Sequence, residues 1–291
     1  MSRNLEEEQY LNQLRNILEN GHDCEDRTGT GIKSLFGFQM RFDLSKSFPL
    51  FTTKKMFTRG IVEELLWFLR GQTSSKILED KGVNIWKGNS SREFLDKLGM
   101  FDREIGDCGE NYSFNFRHYG GLYVDCNTDY SGQGFDQIQN ILNLIRDDPS
   151  SRRMIINLWN PLTLNNTVLF VCHCMYHFRV YNNKLSCFLF QRSADMLLGV
   201  PFNTASASLL THIIAKLSNL EVGEFIHSIS DSHIYNNHFS QVKEQISRTP
   251  YQFPQLKIID RNQKSVEDFT FEDFVFEDYK SHGKIAADMA I

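Results

Sequence analysis

The stretch VCHCMYHFRVYNNKLSCFLFQRSAD, residues 171–195, sets β-forming residues on both sides of Asn182-Asn183. Asparagine tolerates positive φ, so the pair predicts a two-residue turn joining strands over 170–181 and 184–192. In that register Tyr181 faces Lys184. Counting back sets Cys172 against Ser193, His173 against Arg192 and Cys174 against Gln191. Side chains alternate along a strand, so Cys172 and Cys174 share one face and His173 takes the other. An arginine beside a thiol favours the thiolate, whereas an ordinary buried cysteine is inert. The hairpin leaves both readings of Cys172 open, and its alternation makes His173 a poor direct base.

Outward from the hairpin, helices and strands mix without a regular βαβ rhythm. Residues 5–20 and 57–70 read as helices, as does GFDQIQNILNLIRDD (134–148), which Pro149 ends. Another apolar helix spans 204–219, after Pro201. Phe36, Phe38, Met40, Phe42 and Leu44 are predicted on one face of a strand over 36–44. RRMIINLWN (152–160) reads as a buried strand and EFIHSISDSHIY (224–235) as another. The acidic-aromatic EDFTFEDFVFEDY (267–279) reads as a strand packed on the core. The expected fold class is α+β, with residues 1–291 as a single domain, because no repeat or Pro/Gly/Ser linker interrupts them.

The 291 residues are 41% hydrophobic and 23% charged, an ordinary globular balance with room for a substantial core. A net charge of −5 gives no global field for nucleic acid, so an anionic ligand needs a local arginine cluster. Six cysteines are too sparse for a disulfide scaffold, and no spacing suggests zinc or another metal. The acidic MSRNLEEEQYL lacks a signal-peptide core, and no apolar run is long enough for a membrane span. The expectation is a cytoplasmic or nuclear protein in a reduced compartment, not a secreted one. GxGxxG and GxxxxGK[ST] are both missing, which argues against Rossmann and P-loop chemistry.

Several side chains stand out by position. On the 57–70 helix, Glu63 groups with Arg59 and Arg70, while Glu64 falls among Phe57, Ile61, Trp67 and Phe68. A desolvated carboxylate is a general acid or base near neutral pH, and the other reading is a helix-edge glutamate whose tip reaches water. Arg27, Arg152, Arg153 and Arg192 lie outside regular elements and suit phosphate through forked hydrogen bonds, or are solvated surface charge. His233 and Tyr235 share a strand face, fit for a sugar hydroxyl or for a satisfied interior. Asn203 is either a helix N-cap or a reader of a heterocycle edge. Asp195 is a hairpin-end polar group or a ligand contact.

Taken together, DRTGTG (26–31), FPLFTTKK (48–55), EELLWFLRG (63–71), Ile85-Trp86 with Asn89, TDYSGQG (128–134), SRR (151–153), Cys172-His173, QRSADMLLGVPFN (191–203), DSHIYNNH (231–238) and DMAI (288–291) resemble the thymidylate synthase family over nearly the whole chain. The resemblance implies a single α+β domain around a large mixed sheet, dimerising through sheet faces. It implies a methyltransferase that converts dUMP to dTMP with methylenetetrahydrofolate as one-carbon and hydride donor, releasing dihydrofolate. Cys172 would add to uracil carbon 6 and Glu64 would move protons through water, with Tyr112, His173 and Asn203 beside them. Arg27, Gln191, Arg192, Ser193 and Asp195 would bind the nucleotide, and His233 and Tyr235 its ribose. Arg152 and Arg153 would reach the phosphate from the other subunit of a homodimer. Asn203 would read the pyrimidine edge in favour of uracil. Ile85, Trp86, Asn89, Asp195, Leu198, Gly199, Phe202 and Ala290 would contact the folate.

The chain departs from the family pattern at Phe170-Val171, where proline usually precedes the nucleophile, at SFNFRH (113–118), at Lys87-Gly88 and at Ala207. The rival readings are a dUMP hydroxymethylase of the same superfamily, ending in water rather than hydride, and a non-catalytic nucleotide-binding homologue. Asn203 speaks against a cytosine substrate.

Overall fold

A computed structural model of the chain describes residues 3–288. The predicted folate contact Ala290, with the rest of the chain end, lies outside the described residues. In chain order the elements are α1 (Leu5–Asn20), β1 (His22–Cys24), β2 (Ile32–Asp43), α2 (Thr58–Leu69), α3 (Lys76–Glu79), α4 (Arg92–Lys97), α5 (Tyr112–Arg117) and α6 (Gln137–Asp147). There follow β3 (Ile155–Asn157), β4 (His173–Tyr181), β5 (Lys184–Asp195), α7 (Gly199–Leu217), β6 (Glu221–Tyr235), α8 (Phe239–Ser247), β7 (Gln255–Ile258) and β8 (Phe274–Glu277). Six strands form a mixed sheet in the order β1-β2-β6-β5-β4-β3, and β7 and β8 make a separate ribbon. Only β5 and β6 pair in parallel within the large sheet, because α7 carries the chain back across it. The fold is α+β, as expected.

The hairpin turn forms as predicted. Asn182 and Asn183 take φ of 48° and 59°, and Tyr181 pairs with Lys184. Farther along, the expected register fails by one residue. An irregularity between His173 and Met175 sets His173, not Cys174, against Gln191. Arg192 donates its backbone N–H to the Cys172 carbonyl at 2.9 Å, so Cys172 faces Arg192 rather than Ser193. An extra residue in one strand breaks its alternation and re-aims the side chains beyond it.

Helices cover one face of the sheet. Leu185, Cys187 and Leu189 of β5, Phe225, His227 and Ile229 of β6, and Met40 and Phe42 of β2 are buried there. The alternating residues Ser186, Phe188, Phe190, Ile226 and Ser228 are only partly covered. This parity breaks in three neighbouring strands at one level. Ala194 is buried after Gln191 in β5, and Ser232 after Ile229 in β6. In β2, Gly37 takes φ of 87° and Phe36 is 85% exposed, so the predicted apolar row stops at Phe38. Phe36 and Ser193 both pair with Asp231, which shows that the breaks are level. Beyond the kink Ser193 lies against Asp231, and Asp195 against His233.

The helices hold loops as well as the core. Glu7 of α1 is buried and accepts from the backbone and hydroxyl groups of Thr52 and Thr53 at 2.6–3.0 Å, which ties the 48–55 segment down. Burial raises its pKa and those four groups oppose the rise. In α7, residues such as Leu209, Leu210, Ile213 and Ile214 are fully buried, each contributing roughly 1.5–3 kcal/mol of transfer free energy. That helix begins at Gly199, five residues before the predicted start, because Pro201 sits comfortably in a first turn whose N–H groups lack partners anyway.

Two further expectations are corrected. Residues 152–160 hold only the three-residue edge strand β3, with Ile156 buried between exposed Ile155 and Asn157. The 267–279 segment is two 3-10 turns followed by β8 rather than one long strand. Ser265 with Asp268 and Thr270 with Asp273 form capping boxes that favour the turns. Phe269 and Phe274 still reach the core. Among the described residues no helix is long and apolar enough to cross a membrane.

Candidate active site

Cys172 ends the loop that enters β4. Its N–H donates to the Tyr112 hydroxyl at 2.6 Å. Tyr112 opens α5, capped by Asn111, whose side chain accepts from Ser113 and Phe114 N–H. Arg192 donates from Nε to the Val171 carbonyl at 2.9 Å and from Nη2 to the Phe170 carbonyl at 3.1 Å. Its guanidinium lies 5.4 Å from the Trp159 ring centre. Burial pushes the Cys172 thiol up, while the charge of Arg192, a hydrogen bond from Tyr112 and the charge of Arg27 pull it down. The net direction is upward, so the arginine beside the thiol does not by itself make a thiolate.

Glu64 lies on α2, buried as its place on the apolar face requires. Trp86 Nε1 donates to its Oε1 at 2.8 Å. Burial raises the carboxyl pKa to about 7, against the lowering effect of that bond. The helix-edge reading is therefore set aside. Its neighbour Glu63 pairs with Lys81 at 2.6 Å and Arg59 at 3.7 Å, whereas Arg70 turns instead to the Phe269 carbonyl. Trp86 packs edge-on to Tyr112, and Tyr112 edge-on to His173, at centroid distances of 6.1 and 5.4 Å. An aromatic wall thus links the carboxyl of Glu64 with His173, the residue after Cys172.

His173 is buried and its Nδ1 meets the Tyr176 hydroxyl at 2.8 Å. Burial lowers its pKa to about 4, opposed by Asn203, so the ring is neutral near pH 7. Asn203 lies inside α7 rather than at its N-cap, which is Leu198. Its Oδ1 accepts from Gln191 Nε2 at 3.1 Å. Gly199 fits between Asp195 and Asn203, where an added Cβ would lie 3.7 Å from Asp195 Cβ and 3.5 Å from Asn203 Oδ1. Phe202 reaches α2, coming within 3.1 Å of a Cβ built on Gly60. Asp195 accepts from Leu197 N–H at 2.9 Å.

At the other rim, His233 Nδ1 lies 2.8 Å from Asp231 Oδ1, and its ring is edge-on to Tyr235. Arg27 stands exposed in the turn that Asp26 organises by accepting from Thr28 and Gly31 N–H. Its charge is felt at both Cys172 and Tyr235, which brings these three to one site. Ser193 follows Arg192 on β5, and Ile85 and Asn89 flank Trp86 in the turn region after α3. Arg152 and Arg153 do not join them. Both are exposed ahead of the edge strand β3, and neither guanidinium has a partner among the described residues.

Three contributors escape sequence reasoning. Lys54 is buried and donates to the Leu197 carbonyl next to Asp195; burial lowers its pKa to about 8, against the pull of Asp195. His227 and Thr204 lie behind Gln191 and Asn203. The only available signal was the inward row Phe225, His227, Ile229, which puts a histidine where an apolar residue is expected. A cavity of about 620 Å³ opens elsewhere, lined by Arg70, Arg117, His118 and the 128–134 loop, and shares no residue with this site.

The family model described as Thymidylate synthase matches residues 8–291. The chain is 52% identical to a bifunctional dihydrofolate reductase-thymidylate synthase of Paramecium tetraurelia, over 98% of this chain and 62% of that protein. Proteins of the same name from Plasmodium chabaudi and Zea mays are each 49% identical, over 98% of this chain and 48% and 55% of theirs. The chain thus spans about half the length of these curated relatives.

Proposed function

The chain belongs to the thymidylate synthase family, and from that premise we propose that it methylates dUMP reductively to dTMP, with methylenetetrahydrofolate as co-substrate and dihydrofolate as the second product. The observation that carries this reading is the pairing of Cys172, whose loop Tyr112 and Arg192 hold, with Glu64, a buried carboxyl titrating at about 7. A nucleophile and a proton-transfer group linked through Tyr112 and Trp86 suit covalent activation of a pyrimidine. Cys172 adds to carbon 6 of the uracil, and Glu64 exchanges protons with it through water. The folate supplies the one-carbon unit and the hydride. Trp86, Phe202 and Leu198 give apolar and aromatic surface suited to a pterin, with Ile85, Asn89, Asp195 and Gly199 assigned beside them.

Arg27, Arg192 and Ser193 hold the phosphate, His233 and Tyr235 the ribose hydroxyl, and Asn203 with Gln191 the pyrimidine edge. Arg152 and Arg153, exposed and unpaired, act on the phosphate of a second subunit. The half-covered sheet face with Phe188, Phe190 and Ile226 supports a homodimer, since such a face needs a partner layer. Residues 1–291 act as one catalytic domain. All six cysteines are free, in keeping with a reduced, cytoplasmic or nuclear setting. The test is the mass of the product formed from dUMP and methylenetetrahydrofolate. dTMP with stoichiometric dihydrofolate is expected; hydroxymethyl-dUMP without dihydrofolate, or no product, overturns the reading.

A further inference from the structure

Polar side chains run end to end behind Asn203. Gln191 Nε2 donates to the Ser193 carbonyl at 3.0 Å and to Asn203 Oδ1 at 3.1 Å. Gln191 Oε1 lies 2.8 Å from His227 Nε2, and His227 Nδ1 lies 3.1 Å from Thr204 Oγ1. Gln191, His227 and Thr204 are all buried.

Two groups brace the Gln191 amide from opposite ends, the Ser193 carbonyl and His227 Nε2, and the carbonyl, which cannot donate, reveals the direction of the row. The Ser193 carbonyl only accepts, so the end of Gln191 that meets it is the NH₂. Gln191 Oε1 therefore faces His227 Nε2, which must carry the proton. Nδ1 is then bare and accepts from the Thr204 hydroxyl. Burial lowers the His227 pKa to about 3, so the ring holds no second proton. At the other end Asn203 turns its oxygen to Gln191, and an amide turned the other way would set NH₂ against NH₂. Uracil presents N3–H as donor and O4 as acceptor; cytosine reverses both. Which end of the Asn203 amide carries the hydrogens therefore decides which base fits.

We infer that His227 is a positioning residue for base choice: acting through Gln191, and held by Thr204, it locks the Asn203 amide in the orientation that complements uracil and opposes cytosine. The inference rests on the proposed role of Asn203 at the pyrimidine edge. A purely structural His227 would alter stability, or the affinity for both nucleotides together, and leave their ratio alone.

The experiment measures binding of dUMP and dCMP by calorimetry to the full chain, to His227→Leu and to His227→Gln. Leucine removes the donor to Gln191, and the dUMP-over-dCMP preference is expected to fall about ten-fold or more. Glutamine restores an N–H donor and most of the preference. Nitrogen-15 NMR of the unaltered protein is expected to find the His227 proton on Nε2. An unchanged preference in His227→Leu, or a proton on Nδ1, overturns the inference while leaving the proposed function intact. If His227→Leu does not fold, the tautomer and His227→Gln decide: a proton on Nδ1, or no dUMP preference in His227→Gln, overturns it. An unaltered protein that binds neither nucleotide overturns the proposed function and this role with it.

Discussion

Replacing Glu64 by glutamine should make the protein more stable, and only above acidic pH. Burial raises the Glu64 pKa from 4.5 to about 7, so the folded state prefers the protonated carboxyl and the unfolded chain does not. The stabilisation from that extra proton is fully present below about pH 4.5 and is lost as pH rises through about 7. A gap of about 2.5 pH units, at 1.36 kcal/mol each, makes the buried carboxylate cost up to about 3 kcal/mol at pH 8. Glutamine keeps an oxygen that can accept from Trp86 Nε1 but carries no charge. Glu64→Gln should therefore match the unaltered protein near pH 4.5 and exceed it by up to about 3 kcal/mol at pH 8, roughly 6 °C in Tm. Denaturant unfolding of both proteins from pH 4.5 to 8.5 gives the difference, in which every other titrating group cancels. A difference that stays flat across that range would return Glu64 to a solvated helix edge. The same variant should turn over slowly, which would tie the cost in stability to the proton transfer it permits.

Cys172→Ser should bind dUMP within a few-fold of the unaltered protein while turnover falls by at least about 1000-fold; steady-state kinetics with calorimetry checks both, and retained turnover would sink the nucleophile assignment. Arg192→Lys keeps the charge but loses the fork that spans the Phe170 and Val171 carbonyls. Its affinity for dUMP should fall about ten-fold or more and iodoacetamide should label Cys172 more slowly; an unchanged dUMP Kd would refute the phosphate role.

The elements that were legible in the sequence are those whose cause is local. Asn182-Asn183 carries its own turn preference, and the 3.6-residue period sends Glu64 inward whatever surrounds it. What was not legible depends on partners far along the chain. The irregularity at His173–Met175 has no local signal, because Cys174 could sit in a regular ladder; it shows only in how β4 meets β5. The exposure of Phe36 follows from a kink shared by three strands, which the alternation of one strand cannot report. Asn203 reads as an N-cap only while Pro201 stands ahead of the helix; in the structure Pro201 lies within its first turn. Arg152 and Arg153 find no side-chain partner among the described residues, so the single chain gives them no role.

The loop that ends at Cys172, where Val171 stands in place of the family's usual proline, is held by Arg192 and Tyr112. Two of its carbonyls accept from Arg192 and the Cys172 N–H donates to Tyr112; none of these bonds uses the Val171 N–H, so each is open to a proline as well. A guanidinium has five N–H donors in a fixed plane, and two suffice for the Val171 and Phe170 carbonyls. Three remain, so the proposed phosphate contact does not compete with anchoring the loop. One residue then couples them: a phosphate that fixes the guanidinium also fixes the carbonyls on either side of the peptide leading to Cys172. On the proposed phosphate role of Arg192, the thiol is best positioned when dUMP is bound.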